Sequence, residues 1–323
     1  MGGTQHAWVE SPLQFLGVLE HAALPPRDLS ASSMPIQSIV VHPRAGDAQL
    51  ESTAAALHHD LERSGWLPHV EVSLERRVIP AGRFVEGGSW ILGDPFSGQV
   101  QARLARAVPG ELVLVDDGAI TRHLADLLVA GKPLLRPGAG RARSPFTRLR
   151  RSLAEGASRV LRHAATQGRL EVTTYLAPDD PAVQQLRSIG ARVRSHRFDV
   201  TRAHGRAARA VSEGAIVVLG TAAVADGTAT AAEHLDWVAA IARRQPVAYA
   251  PHRREPAWML RALSRLARVT LLSAPVPIEL ALAATSRPLT VVSRPSTALE
   301  TLELVLRGSG STIEFVPTSE VLA

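Results

Sequence analysis

The feature that most constrains this chain is a rhythm: short apolar runs alternate with longer amphipathic segments along nearly its whole length. Candidate strands end at Val9, Val41, Val72, Leu92 and Val115, each followed by turn-forming residues. Between them lie stretches of helical period such as Leu50–Leu61 and Ala119–Val129. Leu170–Tyr175 reads as a further strand, and the pattern resumes at Ala215–Leu219, Val247–Tyr249, Val269–Leu272 and Leu289–Val292. Such alternation builds βαβ units and a mostly parallel sheet. Two successive runs of it predict two Rossmann-like domains facing a cleft, residues 1–212 and 213–323, with the switch near Ser212–Gly214. In open α/β sheets ligands bind beyond the carboxyl ends of the strands. The loops that follow the strands are therefore the places to look for chemistry.

Composition narrows the function classes. Apolar residues make up 46% and charged residues 20%, which excludes a disordered or fibrous chain. Cysteine is absent, so disulfides, thiolate nucleophiles and Cys-type zinc sites are excluded. The start lacks a basic stretch followed by an apolar one, so no secretory signal is expected. The least polar long stretch, Val269–Ser286, is interrupted by Pro275, Pro277 and Glu279, so no bilayer-spanning helix is expected there. The expectation is a cytoplasmic, soluble protein.

The net charge of +6 invites a nucleic-acid reading until the charge is located. Nine arginines against the single acid Glu155 lie between Arg136 and Arg169, and the rest of the chain is close to neutral. Aromatic residues are only 4%, too few for an obvious base-stacking platform, so no nucleic-acid partner is expected. From Phe146, the residues Leu149, Leu153, Val160, Leu161 and Ala164 approximate one helical face with arginines largely elsewhere. A basic amphipathic helix can lie on an anionic membrane, here at the inner face. Gly156 argues against the helix, and the expectation is a flexible surface loop, with peripheral membrane contact as the alternative.

Four strand-end loops hold the unusual residues. The run ending at Val115 continues into Asp116-Asp117-Gly118. A carboxylate placed there can act as a general base, while Asp and Gly are equally ordinary turn and cap residues. The run ending at Tyr249 continues into Ala250-Pro251-His252-Arg253-Arg254-Glu255. Forked guanidinium donors and a titratable imidazole suit an anionic phosphate. The bland alternative is a solvated loop with Glu255 paired to Arg253 or Arg254. Glu279, opening a helix after Pro275 and Pro277, can accept ribose hydroxyls or merely complement a helix dipole. Ser293-Arg294-Pro295-Ser296-Thr297 offers hydroxyls and free N–H groups at a helix start, where Ser296 is equally a plain N-cap.

Other signals fall away. Gly138-Ala139-Gly140 does not follow a strand, so it is no dinucleotide fingerprint. There is no P-loop, no His-Glu-x-x-His and no Gly-x-Ser-x-Gly. His58 and His59 are adjacent on a stretch of helical period and diverge, and His42-Pro43 reads as a post-strand turn. No metal site and no cofactor are expected.

Taken in order, the loops resemble those of bacterial sialyltransferases of GT-B architecture, above all the lipooligosaccharide sialyltransferase and capsular polysialyltransferase families. Asp116-Asp117-Gly118 is similar to their acidic-acidic-Gly motif, and Ser296-Thr297 to their Ser-Ser/Thr pair. Glu10-Ser11-Pro12-Leu13-Gln14 is similar to their opening Ser/Thr-Pro-Leu-Gln loop, and Glu279 fits the place of their ribose-binding acid. The His-Pro motif is represented by Pro251-His252-Arg253, with Arg where the families carry Pro. The resemblance implies inverting, metal-independent transfer of sialic acid from CMP-sialic acid to a glycan hydroxyl. Asp116 or Asp117 would be the base, with Asp116 favoured, and His252 would serve the leaving phosphate. Gly220, Pro251, His252, Arg253, Glu279, Ser293, Ser296 and Thr297 would hold the nucleotide. Ser11, Gln14 and Asp94 would lie on the acceptor side. Alternatives are the same fold with another CMP-linked donor (Kdn, Kdo or legionaminic acid), or a nucleotide- or glycan-binding module without turnover.

Overall fold

The computed structural model describes residues 4–25, 37–43, 47–64, 70–74, 88–106, 109–116, 120–137, 145–205, 214–272, 276–283, 285, 287–294 and 296–315. The chain forms two compact units that divide between Val200 and Thr201. The division precedes the Ser212–Gly214 switch expected from the sequence. The last strand of the first sheet ends at Ser195 and the next described strand starts at Ile216, so among the described residues no strand between them marks the change for a sequence reader.

The first unit holds β1 (Gln5–Val9), α1 (Pro12–Ala23), β2 (Gln37–Pro43), α2 (Ala48–Ser64), β3 (Val70–Leu74) and β4 (Ser89–Leu92). It continues with α3 (Gly98–Leu104), β5 (Glu111–Val115), α4 (Ile120–Val129), α5 (Pro145–Thr166), β6 (Leu170–Thr174), α6 (Pro181–Ser188) and β7 (Arg192–Ser195). The helix α7 (Asp199–Ala203) spans the division. All seven strands are parallel, in the order β3-β2-β1-β4-β5-β6-β7. The order reverses between β1 and β4, which makes that gap the switch point where open sheets of this kind take ligands. β6 is buried along its whole length because both faces are covered. Thr173 faces His21 of α1 at 2.9 Å, so Leu170 and Val172 point to the opposite face.

The second unit runs β8 (Ile216–Leu219), α8 (Ala231–Arg244), β9 (Val247–Ala250), α9 (Ala257–Leu263), β10 (Val269–Leu271), α10 (Ile278–Ala283), β11 (Thr290–Ser293), α11 (Thr297–Val305) and β12 (Thr312–Phe315). Its parallel sheet has the order β10-β9-β8-β11-β12, with the switch point between β8 and β11. Strand alternation sorts its core into two layers. Ile216, Val218, Val247, Tyr249 and Val292 pack under Trp237, Val238 and Ile241 of α8 and Met259 and Leu263 of α9. Val217, Leu219, Ala248 and Val291 pack on the other face, under Leu282 of α10 and Leu302 of α11. Both units are thus Rossmann-like, as the alternation predicts.

Two sequence expectations are corrected. The basic segment is not a flexible loop through its second half: α5 is a 22-residue helix that continues through Gly156. Of the apolar residues read as its face, Leu161 and Ala164 are buried, with Ala154, Ala157 and Ala165, while Leu153 and Val160 are partly buried and Leu149 is exposed. The outer face carries Arg148, Arg151, Arg159 and Arg162 with the exposed Leu149. His42 is no post-strand turn residue, because β2 includes it; its ring is buried, stacks on Trp8 and lies 3.1 Å from His6. Among the described residues, no helix is long and apolar enough to cross a membrane.

Candidate functional site

In the first unit the loops after β1, β4 and β5 hold Ser11, Asp94 and Asp116, and Gln14 lies in the first turn of α1. Ser11 is the N-cap of α1, with its hydroxyl accepting the Gln14 N–H at 3.2 Å. Gln14 Oε1 in turn accepts the Glu10 N–H at 2.6 Å, a variant of the reciprocal capping box. Gln14 lies directly against Gly93, where a Cβ would stand 2.3 Å from Oε1. The Ser-Pro-Leu-Gln opening is thereby tied to the β4 loop across the switch point. Asp94 is buried, accepts the Phe96 N–H at 2.9 Å and pairs with the half-exposed Arg136 at 2.6 Å. Arg136 also lies over the Phe96 ring, 6.0 Å from its centre.

Asp116 is buried at the end of β5, and both its oxygens accept hydroxyls. Thr121 of α4 donates to Oδ1 at 2.5 Å, and Thr174 at the end of β6 donates to Oδ2. A carboxylate held in this way ties β5, β6 and α4 together. Asp117 and Gly118 lie outside the described residues.

The second unit places the remaining candidates on adjacent strand ends. Gly220 follows β8, and its N–H donates to Ala250 O at 2.8 Å. A Cβ there would lie 2.5 Å from Glu255 Oε2 and 2.6 Å from the His252 nitrogen, so only glycine allows the β8 and β9 loops to approach this closely. After β9 the chain turns through exposed Pro251 and half-buried His252, with the Glu255 N–H returning to His252 O at 2.9 Å.

That turn fixes the imidazole. The Arg254 N–H donates to His252 Nδ1 at 3.2 Å, so Nδ1 is an acceptor and the neutral ring carries its proton on Nε2. Burial, then the charges of Arg253 and Arg254, hold the His252 pKa below its usual value, with Asp226 opposing. At neutral pH His252 is therefore a neutral Nε2–H donor rather than an imidazolium. Arg254 pairs with Asp226 through its two terminal guanidinium nitrogens, Nη1 and Nη2, and not with Glu255. Glu255 is buried instead, and burial raises its carboxyl pKa. Arg253 is exposed on the same turn.

Glu279 is buried in the first turn of α10, where Thr301 of α11 donates its hydroxyl to Oε1 at 2.8 Å. Ser293 ends β11 fully buried, its hydroxyl donating to Arg294 O at 2.7 Å. Ser296 is the N-cap of α11 and accepts the Ala298 N–H at 3.3 Å. Thr297 opens α11, and its side chain lies outside the described residues.

One residue was not singled out by the sequence reading. Arg294 is buried directly after β11, on the α8 side of the sheet. Its guanidinium lies 5.0 Å from the centre of the Trp237 ring and donates to Glu233 O at 3.2 Å. Nε is buried without a partner among the described residues, and desolvation lowers the pKa of the group. Strand alternation was the signal that could have placed Arg294: Val292 lies on the Trp237 face, Ser293 on the opposite buried face, and Arg294 returns to the side of Val292.

No family model matches the chain, and no curated protein does. Among solved structures it is similar to LpCGTa in complex with UDP, at 10% identity and a TM-score of 0.45, over 99% of this chain and 89% of that one.

Proposed function

We propose that the chain is a glycosyltransferase that moves sialic acid from CMP-sialic acid to a glycan hydroxyl, with inversion and without a metal. The observation that carries this reading is the neutral His252, its Nε2–H left as donor by the Arg254 bond to Nδ1, on the β9 loop beside Gly220 at the β8 end. A CMP leaving group gains charge on its single phosphate as the glycosidic bond breaks. Fixed donors aimed at developing charge are the usual way to stabilise it. In this reading His252 and the start of α11 serve the phosphate, and Glu279, presented by the Thr301 hydroxyl, serves the ribose. Arg253, in place of the Pro of the His-Pro motif, adds positive charge on the same turn.

The acceptor hydroxyl needs a base, and the proposal keeps the Asp116-Asp117 pair as its source. The two hydroxyl bonds to Asp116 favour a holding role for that residue. Full-length protein incubated with CMP-sialic acid, CMP-Kdo and a glycan panel, with CMP release followed, tests the reading. Transfer from CMP-sialic acid supports it. Preference for CMP-Kdo moves it to the related donor, and CMP binding without release leaves a non-catalytic module.

A further inference from the structure

Glu255 has no part in the reading above, yet its carboxylate collects donors from two loops. Oε1 accepts the Tyr249 hydroxyl at 2.5 Å, and Oε2 accepts the His252 N–H at 2.9 Å. The Thr221 N–H, from the β8 loop, donates to the same carboxylate. Behind Tyr249 stands His234 of α8, with Nε2 2.7 Å from the phenol oxygen. The phenol proton goes to Glu255, so His234 must donate from Nε2 and keep Nδ1 unprotonated. Nδ1 is buried without a partner among the described residues. Burial, then Arg294, holds this imidazole at a pKa of about 4, so it is neutral.

We propose that Glu255 is a positioning residue: by bridging the β8 and β9 loops it holds the His252 backbone, and with it the Nε2–H, in the arrangement that receives the donor phosphate. The nature of the ligand rests on the nucleotide reading above, while the bridge itself does not. A buried carboxylate close to a phosphate site would repel the ligand if its charge were open. Three donors spread that charge inward, which makes an acid usable here. Gly220 belongs to the same device, because any side chain at that position would part Oε2 from the His252 nitrogen.

Glutamine at 255 can keep the bridge if the chain behind it reverses. Its carbonyl oxygen accepts the His252 N–H, its amide donates to the Tyr249 oxygen, and the phenol then donates to His234 Nε2. His234 must then carry its proton on Nδ1. The test uses the full chain labelled with ¹⁵N, as wild type, Glu255→Gln and Glu255→Ala. Imidazole tautomers, amide exchange at His252 and Thr221, and calorimetric CMP affinity are read for each. Wild type should show both His234 and His252 as Nε2–H. Glu255→Gln should flip His234 alone and keep CMP affinity. Glu255→Ala should speed His252 amide exchange and weaken CMP binding, each by about tenfold, the equivalent of one lost hydrogen bond. A folded Glu255→Ala with wild-type exchange and affinity overturns the proposal. So does a Glu255→Gln protein whose His234 stays Nε2–H, an outcome that needs no stable alanine variant. If wild type binds no CMP, the nucleotide reading fails, and the exchange and tautomer readings alone decide the bridge.

Discussion

The His252 backbone N–H sits 2.9 Å from Glu255 Oε2, and Gly220 packs against both atoms with no space for a methyl group. Gly220→Ala must therefore push one loop away from the other. Overpacking at a tight contact costs about 1–3 kcal/mol, and the same displacement should weaken CMP binding. Urea denaturation with calorimetry on one preparation checks both. Unchanged stability would mean that the loops yield freely.

Asp116 is expected to matter more for folding than for turnover. Asp116→Ala takes the acceptor from the Thr121 and Thr174 hydroxyl protons in a buried site, although Thr174 still accepts the Leu176 N–H, and a buried donor left unsatisfied costs about 1–3 kcal/mol. Asp116→Asn is nearly isosteric and can still bond both, so its loss should be smaller. In transfer assays Asp117→Asn should fall by about 10²–10⁴ in kcat, with Asp116→Asn falling less. The reverse order would return the base to Asp116.

How much of this was legible in the sequence differs by element. β5 was readable as an apolar run, and β6 as a short β-branched stretch, Leu-Glu-Val-Thr-Thr, that resumes the rhythm; β6 is buried throughout and β5 from Leu112 onward. β7 and β12 were not, because they are edge strands, largely solvent-facing, with sequences Arg-Val-Arg-Ser and Thr-Ile-Glu-Phe. α5 was obscured by its arginines and Gly156, although its buried Ala and Leu positions keep the helical period. At the site, the strand-end positions of Asp116, His252 and Glu279 were visible from local pattern alone. Their partners were not, since Thr174 lies 58 residues from Asp116 and Thr301 lies 22 from Glu279. For Glu255 the sequence offered only the bland alternative of a pairing with Arg253 or Arg254, because sequence proximity favours that contact. The fold instead buries its carboxylate and gives Arg254 to Asp226.

Glu279→Ala should weaken CMP binding by about 1.5–3 kcal/mol, the size of hydrogen bonds to a charged acceptor. Thr301→Val, which removes the hydroxyl donated to Oε1, should weaken it by a smaller amount and in the same direction. Calorimetry with CMP and with cytidine separates the ribose contribution from that of the phosphate. Full affinity in Glu279→Ala would remove this acid from the site.

Stability should fall in mild acid. Burial, then Arg197 and His21, lowers His196 to about 3, and His234 lies at about 4. An unfolded histidine titrates near about 6.5, so below that pH the unfolded chain takes up protons that the folded one refuses. Each histidine then removes about 1.4 kcal/mol per pH unit between roughly 6.5 and its folded value. Glu255, raised by burial, opposes part of this loss at the acid end. Urea midpoints measured from pH 7.5 to 5 should drop, and His196→Gln should make the drop shallower. A flat profile would contradict the buried neutral state of both rings.

The most direct test of the central claim, that the second unit is a CMP site, is calorimetric titration of the full chain with CMP and, in the same buffer, with UDP. The prediction is saturable CMP binding that is tighter than UDP binding and is lost in folded His252→Ala. No CMP heat, or tighter binding of UDP, would contradict it.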